Sequence, residues 1–465
     1  MIPLYVMARG DIYKFSTLDI AYSVLLIIII YYFAQSIKRK KIKEDSSYKY
    51  YVPALTAKIV GSISVVLIYN IYYSGGDTNY YFFDALTMTN LLFKNLFQFA
   101  DIVFNGMDYS KTSYLDNFTG TFVYYRSKES FFVARIIWPF VLLGFQAMIP
   151  TAMLLAVVSF GGVWRMFKVF IAEFPQLEKQ FAIAFFFLPS VFFWGSGILK
   201  DSITFSALGY FFYSFYYSFI RPEKVVKNII VATISILIIL YIKPYIFIGV
   251  LPGAVIWLIR KNIAKIEGSF IRGIVFPIIL FVGIGSGYLM LNVMSSELGK
   301  FSIDKILDEA VTTNLDLKSS QYKGNSFDIG DIKPTFASML EHAPFAINAA
   351  LFRPYITEAK NFLMIVSGLE NLFILAFTFY VVIRLRIVGV FKYFANNQLL
   401  SFSLIFSLFF AFSVGISTSN FGSMVRYRIP LLPFYVASLF IIKHLEDKAK
   451  EERLRVKYSH HHSYA

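Results

Sequence analysis

Two carboxylates spaced for one helix face follow an apolar run: Tyr72-Tyr-Ser-Gly-Gly-Asp77-Thr-Asn-Tyr80-Tyr81-Phe-Phe-Asp84. The paired glycines permit a sharp turn, so Asp77 stands at a membrane surface, where it can cap the helix that follows. A gap of seven residues places Asp84 on the same face of that helix. An acid in this position can take a proton from a sugar hydroxyl as a general base, with Tyr80 and Tyr81 stacking on the sugar. The plainer reading is an N-cap followed by a solvated acid.

Cations recur where apolar runs are interrupted. Pro189-Ser190-Val-Phe-Phe-Trp194-Gly-Ser-Gly197-Ile-Leu-Lys200-Asp201-Ser202 forms a hairpin tip between two predicted spans with almost no loop. Lys200 can meet a phosphate as a point charge that Asp201 orients, and the Gly-Ser-Gly turn offers backbone N–H groups to an anion. The plainer reading is a snorkelling anchor at the interface, and the same applies to Lys243, which stands alone before Pro244-Tyr245. Arg353, in Phe352-Arg-Pro-Tyr355, and the pair Arg426 and Arg428, in Arg426-Tyr-Arg-Ile-Pro430, precede late spans. An arginine fork matches phosphate oxygens bidentately. His342 reads as a loop residue. Glu370, inside a predicted span, is a site candidate because an intramembrane acid is costly.

The elements that must carry these residues are membrane helices. The chain has 465 residues, 57% of them hydrophobic and only 16% charged. Runs such as Ser23 to Phe33 do not alternate, which excludes a β-barrel and predicts helices of about 20 residues across about 30 Å of hydrocarbon. Eleven spans are predicted near 19–36, 54–73, 138–162, 180–196, 202–220, 226–242, 245–260, 271–293, 361–383, 398–416 and 429–443. The net charge of +15 does not point to nucleic acid, because the basic residues sit in short loops. The connector SIKRKKIKED is placed in the cytoplasm, and alternation then puts Arg165, Arg221, Lys261 and Arg384 inside as well. This gives an outside N-terminus and an inside C-terminus, with 444–465 as a basic cytoplasmic tail. The first span is expected to remain as an anchor.

The whole chain, 1–465, reads as one transmembrane domain with two long outside loops. The loop 74–137 holds apolar stretches, such as Ala85 to Phe104, that suit amphipathic helices lying at the interface. The loop 295–360 is more polar and is expected to act as a lid. No internal repeat is present, which weakens a transporter built from inverted halves. With no cysteine, thiolate chemistry and disulfides are excluded. Asp77, Asp84 and Asp201 would ligate Mg²⁺ or Mn²⁺ only by converging, so no cofactor is assigned.

This pattern resembles the GT-C superfamily of integral-membrane glycosyltransferases, which includes protein O-mannosyltransferases, lipid A aminoarabinose transferases and Rgt-type lipopolysaccharide sugar transferases. Gly76-Asp77-Thr-Asn-Tyr80 looks like the acidic element early in their first large outside loop. Arg426-Tyr427 followed by Pro430 and Pro433 looks like the Arg-Tyr-Pro stretch that leads into a late helix. Position 78 is Thr where many members have a second acid, and an extra span precedes the loop. The resemblance implies an enzyme of a bacterial inner membrane that moves a sugar from a polyprenyl-phosphate donor to a glycan or lipid acceptor. Asp77 would be the base; Lys200, Arg426 and Arg428 would bind the phosphate, assisted by Lys243 and Arg353. Three other functions stay open: an O-antigen or exopolysaccharide polymerase, a flippase or transporter of lipid-linked glycan, and an assembly scaffold.

Overall fold

The computed structural model describes residues 12–263, 305–319 and 325–462. Among the described residues the chain is helical, and the only β pairing is an isolated bridge between Ser326 and Asn420. Seven helices are long and apolar enough to cross a membrane: Thr17–Lys41, Ser46–Tyr72, Met148–Glu173, Val225–Ile242, Pro244–Lys261, Phe362–Arg386 and Gln398–Ser417. An eighth results if Phe421–Tyr427 and Leu432–Arg455, bent by 65°, count as one span. The chain is therefore an all-α, multi-pass membrane protein. The expected span 271–293 lies outside the described residues.

Three expected spans differ from the prediction. The segment 138–162 is not one helix. Lys128–Leu143 ends, and Met148–Glu173 begins, across a break in which Phe145 (φ 51°) and Gln146 (φ 61°) are left-handed. Hydrogen bonds hold the break. Gln146 donates to Asn90 Oδ1 at 2.9 Å, and Asp19 Oδ1 accepts from the backbone N–H of Met148 at 2.9 Å. The segment 180–196 is likewise broken, into Glu178–Ala182, a π turn Ile183–Phe187 and Pro189–Trp194. The segment 202–220 is helical as Lys200–Phe215 with a π turn Tyr216–Ile220, but it is not among the seven apolar spans.

The described chain falls into two compact units. The first comprises Met1–Met166, Ser190–Ser214 and Ile230–Lys243; the second comprises Phe167–Pro189, Phe215–Ile229 and Pro244–Ala465.

In the first unit, helix Asp77–Lys94 is not an interface helix along its length. Tyr81, Phe82, Ala85, Met88 and Leu91 are buried in an apolar cluster shared with Val66, Ile198, Ile203 and Ile242. Only its end and the next helix, Leu96–Asn105, show apolar side chains outward, with Phe93, Leu96, Phe97 and Phe104 exposed while Phe99 and Ile102 are buried. That two-faced helix is the element that fits the expected interface position.

Asp19 ties this unit together. It forms a capping box with Ser16 at the start of Thr17–Lys41. The same carboxylate also accepts from the Tyr13 hydroxyl at 2.8 Å and caps Met148–Glu173. One buried acid thus serves two helix N-termini, whose dipoles favour a negative charge. Asp19→Ala removes two caps worth about 0.5–2 kcal/mol each. The expected result is a lower unfolding midpoint by intrinsic fluorescence in detergent, and an unchanged midpoint would contradict the double-cap role.

In the second unit, Ala343–Phe352 packs on Gln398–Ser417 so tightly that a Cβ on Gly415 would come within 2.1 Å of the Ala346 carbonyl oxygen. The described part of the late loop is pinned to the chain before the last span. Phe327 N–H donates to Ser419 O at 2.8 Å, and Phe421 N–H donates to Asn325 O at 3.0 Å.

Candidate functional site

The turn before Asp77 is built by Gly75 (φ 125°) and Gly76 (φ 120°), in the left-handed region that favours glycine. Gly76 packs on the Tyr69 ring, 3.0 Å from where a Cβ would stand. The expectation that Asp77 caps its helix is corrected. Gly76 is the N-cap, no side chain caps this end, and Asp77 is the first helical residue. A carboxylate in the first turn still suits the helix dipole. Its Oδ1 accepts from the Tyr124 hydroxyl at 2.8 Å. Asp77 is half-buried.

The seven-residue spacing does place both acids against one structure. Asp84 is fully buried, and its two oxygens accept from the backbone N–H groups of Val123 (2.6 Å) and Tyr124 (2.9 Å). Tyr124 therefore bridges the pair, its amide on Asp84 and its hydroxyl on Asp77. Tyr81 is buried with its ring 5.0 Å from that of Tyr124, while Tyr80 is half-buried with its ring 5.7 Å away. Asp84 and Tyr81 thus lie beneath the surface, and Asp77 and Tyr80 reach it. Arg126, exposed at the end of this loop, lays its guanidinium 5.4 Å from the Tyr125 ring and donates from Nε to the Tyr125 hydroxyl at 3.0 Å.

Burial pushes the Asp84 carboxyl up to about 7, against the pull of its two amide donors. A folded pKa above the unfolded value means that the folded state holds the proton more tightly. The associated stability is fully present below the ordinary aspartate value of 3.8 and is lost as pH rises through about 7. Each unit of difference is about 1.4 kcal/mol. The unfolding midpoint is therefore expected to decline as pH rises from about 4 to about 7, and Asp84→Asn should flatten that slope. An equal slope in the variant would show that another group titrates there.

The second cluster lies in the same unit. Lys243, expected to stand alone, is instead buried in an ion pair with Asp201 Oδ1 at 2.5 Å. Helix ends explain the pairing. Asp201 occupies the first turn of Lys200–Phe215, and Lys243 follows the last residue of Val225–Ile242, so each charge complements a dipole. Ile198, Ile203 and Ile242, within two residues of Lys200, Asp201 or Lys243, belong to the apolar cluster that holds Tyr81 and Phe82. The first three sequence constellations thus share one core.

The hairpin tip does not lie at the end of the neighbouring span. A Cβ on Gly61 would come within 2.0 Å of the Phe192 carbonyl oxygen, and one on Gly197 within 2.4 Å of Val65. At 1.5 Å per residue, these positions are about 10–16 Å short of the Tyr72 end of the helix.

The arginines occupy the second unit. Arg353 is bound by the Glu358 carboxylate and lies 4.6 Å from the Phe327 ring and 5.3 Å from that of Phe421. Arg428 is fully buried. Its NH1 donates to the carbonyls of Ala350 (3.2 Å) and Arg353 (2.9 Å), and its NH2 donates to Asn371 Oδ1 at 2.6 Å. Glu370 lies 3.9 Å from the same guanidinium, which supplies the partner for the intramembrane acid. Arg426 is half-buried at the end of Phe421–Tyr427. His342 Nδ1 lies 2.8 Å from Ser338 O, within its own turn.

Among the described residues no three of His, Cys, Asp and Glu come together as metal ligands. The residues that sequence reasoning missed are Tyr124, Arg126, Lys58 and Asp19. Val-Tyr-Tyr-Arg at 123–126 carries no motif, and only the fold brings Tyr124 to Asp77. No protein-family model, curated protein or solved structure matches this chain.

Proposed function

We propose that this protein is a membrane glycosyltransferase of GT-C-like layout. It moves a sugar from a polyprenyl-phosphate donor to a glycan or lipid acceptor at the outer face of a bacterial inner membrane. The reading includes eleven passes, counting the broken segments, with the N-terminus outside and the C-terminus in the cytoplasm. The observation that carries it is the half-buried Asp77 carboxylate, held by the Tyr124 hydroxyl just beyond the end of a membrane span. The hydroxyl donor orients the carboxylate, and a carboxylate so held serves as general base toward a substrate hydroxyl.

In the proposed step the acceptor oxygen attacks the anomeric carbon, and Asp77 takes its proton. The bond from that carbon to the phosphate oxygen breaks with inversion, and polyprenyl phosphate leaves with the electron pair. Lys200, in the same unit, and the exposed Arg126 stabilise the charge that develops on the phosphate. Tyr80 offers a face to the sugar. Arg353 and Arg428, held by partners within their own unit, have a structural part in this reading.

The test incubates purified protein in liposomes with radiolabelled polyprenyl-phosphate hexoses and a cell-envelope glycan fraction. Label should pass to the glycan, with polyprenyl phosphate released. A product ladder built from diphosphate-linked oligosaccharide would favour the polymerase. One observation favours a transporter as a second reading: Lys58, Asp201, Lys243, Glu370 and Arg428 are all buried. Movement of intact donor across the bilayer without bond formation would decide for it.

A further inference from the structure

Lys58 lies near the middle of the span Ser46–Tyr72, twelve residues from one end and fourteen from the other. It is buried, at 6% exposure. Among the described residues its ammonium has one acceptor, the carbonyl oxygen of Gly195, and no carboxylate within ion-pair distance. A lysine inside a membrane span is costly and is retained where it serves a purpose.

Its location shows what that purpose is. Pro189–Trp194 is a single short turn-and-a-half of helix that stops inside the protein. Its last carbonyls have no helical partners of their own, and a buried orphan carbonyl is expensive. Two are satisfied locally: Ser196 Oγ donates to Phe192 O, and Ser196 N–H donates to Phe193 O at 3.3 Å. The Gly195 carbonyl is satisfied from outside, by Lys58. A cation at a helix C-terminus also complements its dipole. The same stretch is fastened to the same span by backbone approach at Gly61 and by Gly197 against Val65. Lys200 and Asp201 follow Gly197 by three and four residues, and Asp201 holds Lys243.

We infer that Lys58 is a positioning residue. Its ammonium caps the broken helix and thereby sets the placement of Lys200 and Asp201 for an anionic lipid headgroup. It acts through the turn and does not touch the substrate. The link to a lipid phosphate rests on the glycosyl-transfer reading; the capping of the turn does not.

The experiment compares wild type, Lys58→Met and Lys58→Arg in the full-length protein. Methionine keeps the length of the side chain without the donors, and arginine keeps the donors. Amide hydrogen exchange is read by mass spectrometry for peptides covering 190–203 and, as a control, 77–94. Lys58→Met should exchange at least tenfold faster at 195–201 with 77–94 unchanged, and Lys58→Arg should restore protection. In the transfer assay, Lys58→Met should raise KM for polyprenyl-phosphate hexose about tenfold at nearly constant kcat, with Lys58→Arg again close to wild type. Unchanged exchange at 195–201 in Lys58→Met overturns the inference whatever the activity. Faster exchange with an unchanged KM overturns the positioning role. Faster exchange across both peptides means general loosening and also counts against it. A wild-type protein that transfers no sugar fails the glycosyltransferase reading alone, and the exchange result still decides the capping.

Discussion

Asp77→Asn is expected to lower sugar transfer by about 10²–10⁴-fold, the usual worth of a positioned general base. Asparagine matches the shape of the side chain and can still accept from the Tyr124 hydroxyl, so the geometry at 2.8 Å survives while the basic oxygen is lost. Stability should change little, since Asp77 is only half-buried and no side chain caps that helix end. Tyr124→Phe removes the hydroxyl and keeps the ring that packs beside Tyr80 and Tyr81. Its expected loss is smaller, about tenfold, from one hydrogen bond of about 1.5 kcal/mol to a charged group. Initial rates with radiolabelled donor, normalised to folded protein, measure both. Full activity in Asp77→Asn would remove Asp77 as the base. Full activity in Tyr124→Phe would leave Asp77 in place without its positioning partner.

Arg428→Met is expected to destabilise the protein by about 3–5 kcal/mol, the range for breaking a buried charge pair on one side only. The guanidinium is completely buried and joins its own segment to two others: the carbonyls of Ala350 and Arg353 on one, and the Asn371 amide oxygen with Glu370 at 3.9 Å on the other. Methionine fills part of the volume and leaves these acceptors without their donor. Glu370→Gln in the same chain removes the buried negative charge, so the double variant should recover part of the loss. The measurement is the unfolding free energy in mixed detergent micelles for both single variants and the double. An Arg428→Met protein of wild-type stability with greatly weakened binding of polyprenyl phosphate would reverse this assignment and make Arg428 a ligand-binding residue.

The membrane class was legible in composition, because long apolar runs with few charges admit little else. Spans with long apolar runs and basic ends were read closely: Thr17–Lys41 carries four basic residues in its last turn. Errors fell where polar side chains rather than hydropathy decide the path. Nothing in Phe145-Gln146 announces two left-handed residues in an apolar stretch; that break depends on Asn90 and Asp19, 56 and 129 residues or so away in sequence. The spacing of Asp77 and Asp84 was readable from helical periodicity, but the Tyr124 that joins them was not. Lys243 looked solitary because its partner, Asp201, is 42 residues earlier. Arg428 looked like an outward phosphate ligand because position relative to a span says nothing about which carbonyls the fold brings to it. Charges are placed in sequence by alternation, whereas partners are chosen by packing.

The central claim is that an anionic lipid carrier sits beside the carboxylate that the second span delivers. Photocrosslinking with a benzophenone-bearing polyprenyl phosphate, followed by peptide mapping, tests it most directly. Adducts are expected on peptides covering 72–84, 120–127 and 195–203, and unlabelled polyprenyl phosphate should suppress them. Adducts absent from all three, or present and not competed, would contradict the account.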